Sequence, residues 1–321
     1  MNMEKRDRVM AAIKGEKVDR LPVGFWMHFR PEFHHGEKSV AEHLRFLQGT
    51  GVDILKIMNE NECPCKYPIQ TAGDWDHVSA DSLCDESMRD QLEIVKRVTD
   101  ATKQEAFVIA TVHGLISAAH HAMGRPEIYD DISYLLPQHL HENPKGFSKA
   151  LDEITDYLIT LAQGCVKEGV DGIFYAAFGA EKGLFTKEEF DEYIRPRDLK
   201  ILQAIKDAGA VSVLHICRRN LDMERYGGYR ADIVNWGEYA GNLSLEEGKK
   251  LFPGCTILGG FDDRDGPLVN GSREEIAAWT ESVVTRMGRE KFIMGADCTL
   301  PTDLPLEHIR YVVEACEKIG G

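Results

Sequence analysis

Eight short apolar runs recur along this chain, and their spacing limits the folds open to it more than any other feature. They cover residues 21–29, 52–58, 107–112, 172–178, 211–216, 231–236, 255–261 and 292–298. Segments with helical spacing separate most of them, at 40–48, 86–104, 145–167, 187–208, 244–251, 273–287 and 305–319, with one more at 4–14 ahead of the first run. Strands buried on both faces read as nearly continuous apolar sequence, because a parallel sheet carries helices on each side. Eight such units alternating with helices close into a barrel. The expected fold is therefore α/β, a single (β/α)8 TIM barrel over residues 1–321 with a short N-terminal helical extension. Gly51, Gly169 and Gly209 stand just ahead of strands, where a glycine suits the left-handed turn that ends a helix.

Charge narrows the partners. The 321 residues carry a net charge of −15 and no Lys/Arg run suited to tracking phosphates, so nucleic acid and an anionic membrane surface are poor partners. The first twenty residues are charged throughout and lack the apolar core and small-residue cleavage site of a secretory signal. No stretch approaches membrane-span length. Eight scattered cysteines, without the dense spacing of a secreted scaffold, fit a reducing compartment. A cytoplasmic protein acting on small molecules is the expectation. No strand is followed by a Gly-rich dinucleotide fingerprint or a P-loop.

In a barrel the C-terminal ends of the strands form the catalytic face. The run 211–216 leads into LHIC, which puts His215 and Cys217 on one face because strand side chains alternate. The run 292–298 delivers Cys298 to the same mouth. Adjacent same-face residues stand about 6.5–7 Å apart at the backbone, so one ion between them binds both at roughly 2.0–2.3 Å. A third ligand from another strand completes a tripod, and three protein ligands leave a position open, as in a catalytic zinc site. Two thiolates cancel the dication's charge and would leave a further bound thiolate nucleophilic. That suits alkyl transfer to sulfur. Free cysteines are also commonly buried as small apolar side chains, so spacing alone leaves that reading open, and the shared mouth favours the metal. Two long interruptions, 59–86 and 113–144, belong to the same face and carry Glu60, Trp75, His77 and five histidines. Cys63 and Cys65 flank a proline there without the second pair that a separate structural metal needs.

LHIC followed by GADCTLP resembles the ligand signature of the zinc-dependent, corrinoid-linked methyltransferases of the uroporphyrinogen decarboxylase superfamily, the methylcobalamin:coenzyme M methyltransferases among them. The resemblance extends through KGEKVDRLPVGFW, VIATVHGLISAA, GIFYAAFGAEKGLFTKEEFDEYIRPRDLKIL, ILGGFDDRDGPLVNGSREEI and PTDLPLEHIRYVVEAC. It implies zinc (Zn2+) held by His215, Cys217 and Cys298, and a corrinoid (cobalamin) supplied by a corrinoid carrier protein. It also implies a small methyl donor or acceptor, either a thiol that takes the methyl group or a methoxy or methylamine compound that gives it up. A homodimer is compatible with this reading.

True uroporphyrinogen decarboxylases resemble the chain in fold and differ at particular positions. Where they carry two arginines near the first strand, this chain has His28 and a single Arg30. Their aspartate after the second strand corresponds to Glu60, their tyrosine after the third to His121, their serine after the fourth to Ala176, and their late histidine to Cys298. A mouth with little Lys or Arg also suits an eight-carboxylate macrocycle poorly. Glu60 is expected to fill the fourth zinc position or to act as a general base. His28, Arg30, His121, Tyr175 and Arg218 are expected around the substrate, with Arg218 and Arg219 where the resemblance implies glycine. Only one of His120 and His121 can face the mouth of a helical segment. A non-catalytic barrel binding zinc or a tetrapyrrole is the remaining alternative.

Overall fold

The computed structural model describes residues 3–61, 65–67, 69–83, 85–102, 105–124 and 134–320. Seven parallel strands follow one another in chain order: β1 (Ile54–Ile57), β2 (Phe107–His113), β3 (Gly172–Ala177), β4 (Val211–Ile216), β5 (Ile233–Trp236), β6 (Thr256–Phe261) and β7 (Phe292–Ala296). Nearly all their residues are buried, which explains why they read as apolar runs and not as alternating ones. Helices α1 (Lys5–Lys14), α2 (Gly36–Thr50), α3 (Asp85–Thr102), α4 (Leu115–Ala122), α5 (Leu135–Glu142), α6 (Pro144–Lys167), α7 (Arg195–Asp207), α8 (Leu245–Leu251), α9 (Arg273–Met287) and α10 (Leu306–Gly320) complete the described framework. This is the expected TIM-barrel-like α/β architecture with its N-terminal helix. Among the described residues no helix is long and apolar enough to cross a membrane.

The first expected strand takes a different form. Residues 21–29 make only isolated bridges, Val23 with Met294, Gly24 with Ile54 and Met27 with Leu300, so the eighth stave is a seam and not a ladder. Two features of the sequence cause this. Pro22 has no N–H to donate, and the Val23 N–H is taken by the Asp53 carboxylate at 2.8 Å. The segment nonetheless bonds to both neighbours: Gly24 N donates to Met294 O at 2.9 Å and Ile54 N to Val23 O at 3.2 Å. It therefore closes the gap between β7 and β1.

The helical span expected at 187–208 is also divided. A π turn, Phe190–Ile194, leads into α7. Pro196 lacks the N–H that would continue the regular ladder, and its ring crowds the carbonyl one turn back, so the chain widens there. The glycines read as helix ends behave as expected, with φ of 75° at Gly51, 96° at Gly169 and 82° at Gly209. The loops 59–86 and 113–144 pack on each other in part. Trp75 is fully buried, its Nε1 donating to His139 Nδ1 at 3.0 Å, and its ring lies 5.1 Å from that of Phe147 on α6.

Candidate metal centre and its cavity

Strand β4 ends at Ile216 with Cys217 next in the chain, and Cys298 follows the end of β7 by two residues. Both strands therefore deliver their side chains at the mouth. Cys298 Sγ lies 3.4 Å from His215 Nε2 and 3.9 Å from Cys217 Sγ, and the three donor atoms all fall within 4.8 Å of one another. Tetrahedral zinc with ordinary bond lengths separates two sulfurs by about 3.8 Å and sulfur from nitrogen by about 3.6 Å. The Cys298 sulfur already stands near those spacings from His215 and Cys217. Among the described residues this is the one such group of His, Cys, Asp and Glu.

The imidazole is set for this role by a residue that the sequence pattern did not single out. Asn235 on β5 donates through Nδ2 to Leu258 O and Ala296 O, both at 3.0 Å, so its Oδ1 is left as the acceptor facing His215 Nδ1 at 2.6 Å. Nδ1 must then carry a proton, which leaves Nε2 as the nitrogen that faces Cys298 and could bind a metal. The ring is held flat against Phe174, with centroids 5.1 Å apart. The two cysteines share a proton: the Cys217 hydrogen bond, with His215 beside it, pulls Cys298 well below the ordinary thiol range, and the same bond and burial push Cys217 well above it. A bound dication would take both as thiolates.

Lys56 is a second residue that sequence reasoning missed. It sits on β1, 4 % exposed, with Nζ 4.0 Å from the Phe174 ring centroid and 5.3 Å from that of Trp26. Burial pushes it down to about 8, partly offset by the charges of Cys298, Glu60 and Cys217. Its signal in the sequence was a lysine inside an otherwise apolar run, DILKIM.

A cavity of about 550 Å³ opens beside the triad. Lys182, Arg218 and Arg219 line it from the loops after β3 and β4, and Asp263, Arg264 and Asp297 from the ends of β6 and β7. Arg218 adopts φ of 94°, a left-handed conformation rare for a side chain of its size. Its guanidinium lies 5.0 Å from the Phe178 ring centroid and 3.8 Å from Glu181. Asp297 is fully buried and accepts from Tyr239 N through Oδ2 at 2.6 Å, while Oδ1 has no hydrogen-bond partner among the described residues. Burial raises the Asp297 carboxyl to about 8, and burial followed by the charge of Cys298 raises Asp263 to about 6.

Several expected substrate contacts lie elsewhere. Tyr175 points away from the barrel axis, its hydroxyl donating to Asp198 Oδ1 on α7 at 2.5 Å and accepting from Leu115 N at 3.1 Å. Strand alternation sends its neighbours Phe174 and Ala176 inward instead. Arg30 lines a separate groove with Phe33, Glu42, Arg45 and Arg310. Glu60 stands outside the donor cluster, held by His28 Nδ1 at 2.8 and 3.0 Å. Burial raises Glu60, but the His28 hydrogen bond and nearby positive charge more than offset this and leave it below the ordinary glutamate value. That makes it a weaker base than an ordinary glutamate. His121 packs edge-on against His113 at 4.8 Å, whereas His120 feels the charge of Arg218. Cys63 lies outside the described residues, and Cys65 bridges to Leu83.

The family pattern described as uroporphyrinogen decarboxylase (URO-D) matches residues 46–319. This chain belongs to the URO-D family. Two relatives show how broad that family is. The uroporphyrinogen decarboxylase of Aquifex aeolicus is 21 % identical over 97 % of this chain and 98 % of its own length. The methylcobamide:CoM methyltransferase MtbA of Methanosarcina mazei is 24 % identical over 79 % of this chain and 70 % of its own. A solved methyltransferase structure from Methanosarcina mazei superposes over the whole of both chains with a TM-score of 0.80 at 18 % identity. The URO-D barrel is thus shared with both a decarboxylase and methyltransferases.

Proposed function

We propose that this URO-D family chain is a zinc-dependent methyltransferase that moves a methyl group between a corrinoid, carried by a partner protein, and a small thiol. The observation that carries this reading is the donor triad: one imidazole with its lone pair directed by Asn235, and two cysteines at 3.4 and 3.9 Å spacings. Zinc bound there supplies a site that takes a substrate thiol as its thiolate. His215 and the two cysteine sulfurs fix the position that the sulfur takes, and the Cys217 and Cys298 charges keep electron density on that sulfur. Lys56, beneath the triad, offsets the negative charge that three thiolates would gather. A corrinoid presented at this mouth would supply the methyl group and keep the cobalt–carbon electron pair as the sulfur takes the carbon, while His215, Cys217 and Cys298 would hold that sulfur in place.

The relatives that act as methyltransferases support this reading, and so does the mixed charge of the cavity, which suits a porphyrinogen bearing eight carboxylates poorly. Metal analysis is the first test. Purified protein is expected to hold close to one zinc per subunit, with most of it lost in Cys298→Ser and His215→Ala. Full occupancy in both variants would remove the ligand assignment. Methylcobalamin offered with a panel of thiols should be demethylated. Turnover of a methoxy or methylamine donor instead would place the enzyme in the opposite direction, and coproporphyrinogen formed from uroporphyrinogen would return it to the decarboxylases.

A further inference from the structure

Lys56 is a buried cation that, among the described residues, no carboxylate meets at ion-pair distance. Its ammonium lies among Phe174, Trp26 and Met58, all of them buried, and the Met58 Sδ at 3.5 Å is a weak acceptor. Glu60, whose charge it feels, is hydrogen-bonded to His28 instead. The two rings recover part of the cost of burying a charge, and the rest is a stability penalty that packing does not explain.

Position relates this charge to the metal centre. Phe174 has the ammonium 4.0 Å from its ring centroid and stacks on the His215 imidazole with centroids 5.1 Å apart. Nζ therefore stands within about 9 Å of that imidazole, where at an effective dielectric of about 20 one unit charge alters the binding of another roughly tenfold. The side chains around it are apolar, so water screens the interaction little. Besides Glu60, the charges that act on Lys56 are those of Cys298 and Cys217. His113 and His43 are also in its reach, and burial keeps both neutral near pH 7.

A dication held by two thiolates and a neutral imidazole carries no net charge. A thiolate in the open position makes the centre negative, whereas an ether or a free amine leaves it neutral. Lys56 attracts the first and is indifferent to the others. We propose that Lys56 is the specificity-determining charge of this centre, making the open metal position select an anionic sulfur ligand over a neutral ether or amine. It acts through space, without touching the ligand. This rests on the zinc reading above and names the residue that chooses the ligand class for that site.

The test loads the parent, Lys56→Met and Lys56→Gln with zinc for calorimetry and with cobalt(II) for absorption spectra. Each is titrated near pH 7 with ethanethiol, which binds metal as a thiolate, with thiocyanate, an anion that has no proton to lose, and with neutral imidazole. Both variants should bind ethanethiol and thiocyanate about 10-fold more weakly than the parent, and imidazole within about 2-fold of it. Zinc itself should bind both variants as tightly as the parent or up to about 10-fold more tightly, because removing a cation favours a dication. Damage to the site would instead weaken the metal and all three ligands together. Anion affinities equal to the parent's, or a uniform loss across metal and ligands, would overturn the proposal. If ethanethiol raises no sulfur-to-cobalt charge-transfer band in the parent, the thiol-accepting reading falls, and thiocyanate against imidazole still decides the role of Lys56. A parent that takes up no metal overturns both.

Discussion

Asn235 donates nothing to the metal site, yet it decides which nitrogen His215 offers. Removing it in Asn235→Ala should lower zinc affinity about 10–100-fold, as loss of an orienting partner commonly does, and competition with a chromophoric chelator reads this directly. An unchanged affinity would show that Phe174 stacking alone sets the ring. Lys56 gives a pH prediction. Its folded pKa of about 8 lies below the ordinary lysine value of about 10.4. Between those values the unfolded chain binds more protons, so Lys56 makes stability rise with pH over about 8 to 10.4, and below about 8 its full penalty is present. Metal-free Lys56→Met should therefore be more stable than the parent at pH 7, by about 1–3 kcal/mol, with the gap closing toward pH 10 in urea denaturation. At this scale the sequence was legible where residues share a short motif. His215 and Cys217 are two apart, and Cys298 ends its own run. Asn235 was not legible, because its importance lies in which hydrogen bonds its neighbours leave open, and that is settled across strands distant in the chain.

Helix α8 shows how an element is seated by what is absent from it. A Cβ at Gly248 would stand 2.1 Å from the Trp236 ring, so the helix rests on the indole of β5 through a bare backbone. Gly248→Ala must push the helix or the ring aside and should cost about 1–3 kcal/mol, as overpacking does, seen as a lower thermal midpoint with the metal site intact. A midpoint equal to the parent's would mean that the helix shifts without penalty. Strand and helix identities could be read from apolar runs and helical spacing, because both are local. Boundaries were less accessible. The π turn before Pro196 looks helical by spacing, and only the missing N–H reveals the break. Tyr175 was misplaced for the same kind of reason. A run of buried residues such as GIFYAA hides which alternate face looks inward, and here the tyrosine belongs to the helix-facing set that meets Asp198.

The whole barrel depends on its seam. Asp53 is fully buried and receives Arg8 Nη1 at 2.6 Å, Arg20 Nη1 at 2.7 Å and Val23 N at 2.8 Å, tying α1, the bridging segment and β1 together. Asp53→Ala would leave two buried guanidinium groups facing each other and should cost about 3–5 kcal/mol in chemical denaturation. A loss below about 1 kcal/mol would show that the apolar contacts of the seam suffice. Seven of the eight expected strands form ladders and the first run makes only isolated bridges, since sequence shows that a run is apolar and not whether its amides find strand partners. Trp26 and Met27 carry this seam up to the mouth, where Leu300 N donates to Trp26 O at 2.9 Å two residues past Cys298. The spacing of the triad along the chain has a consequence for biosynthesis. Cys217 and Cys298 are 81 positions apart, so a ribosome releases the first two donors long before the third, and the third comes into place only as the last strand joins the seam. A nascent chain has no complete donor set until then, so a metal held by all three donors would tie the last strand to the part of the polypeptide made before it.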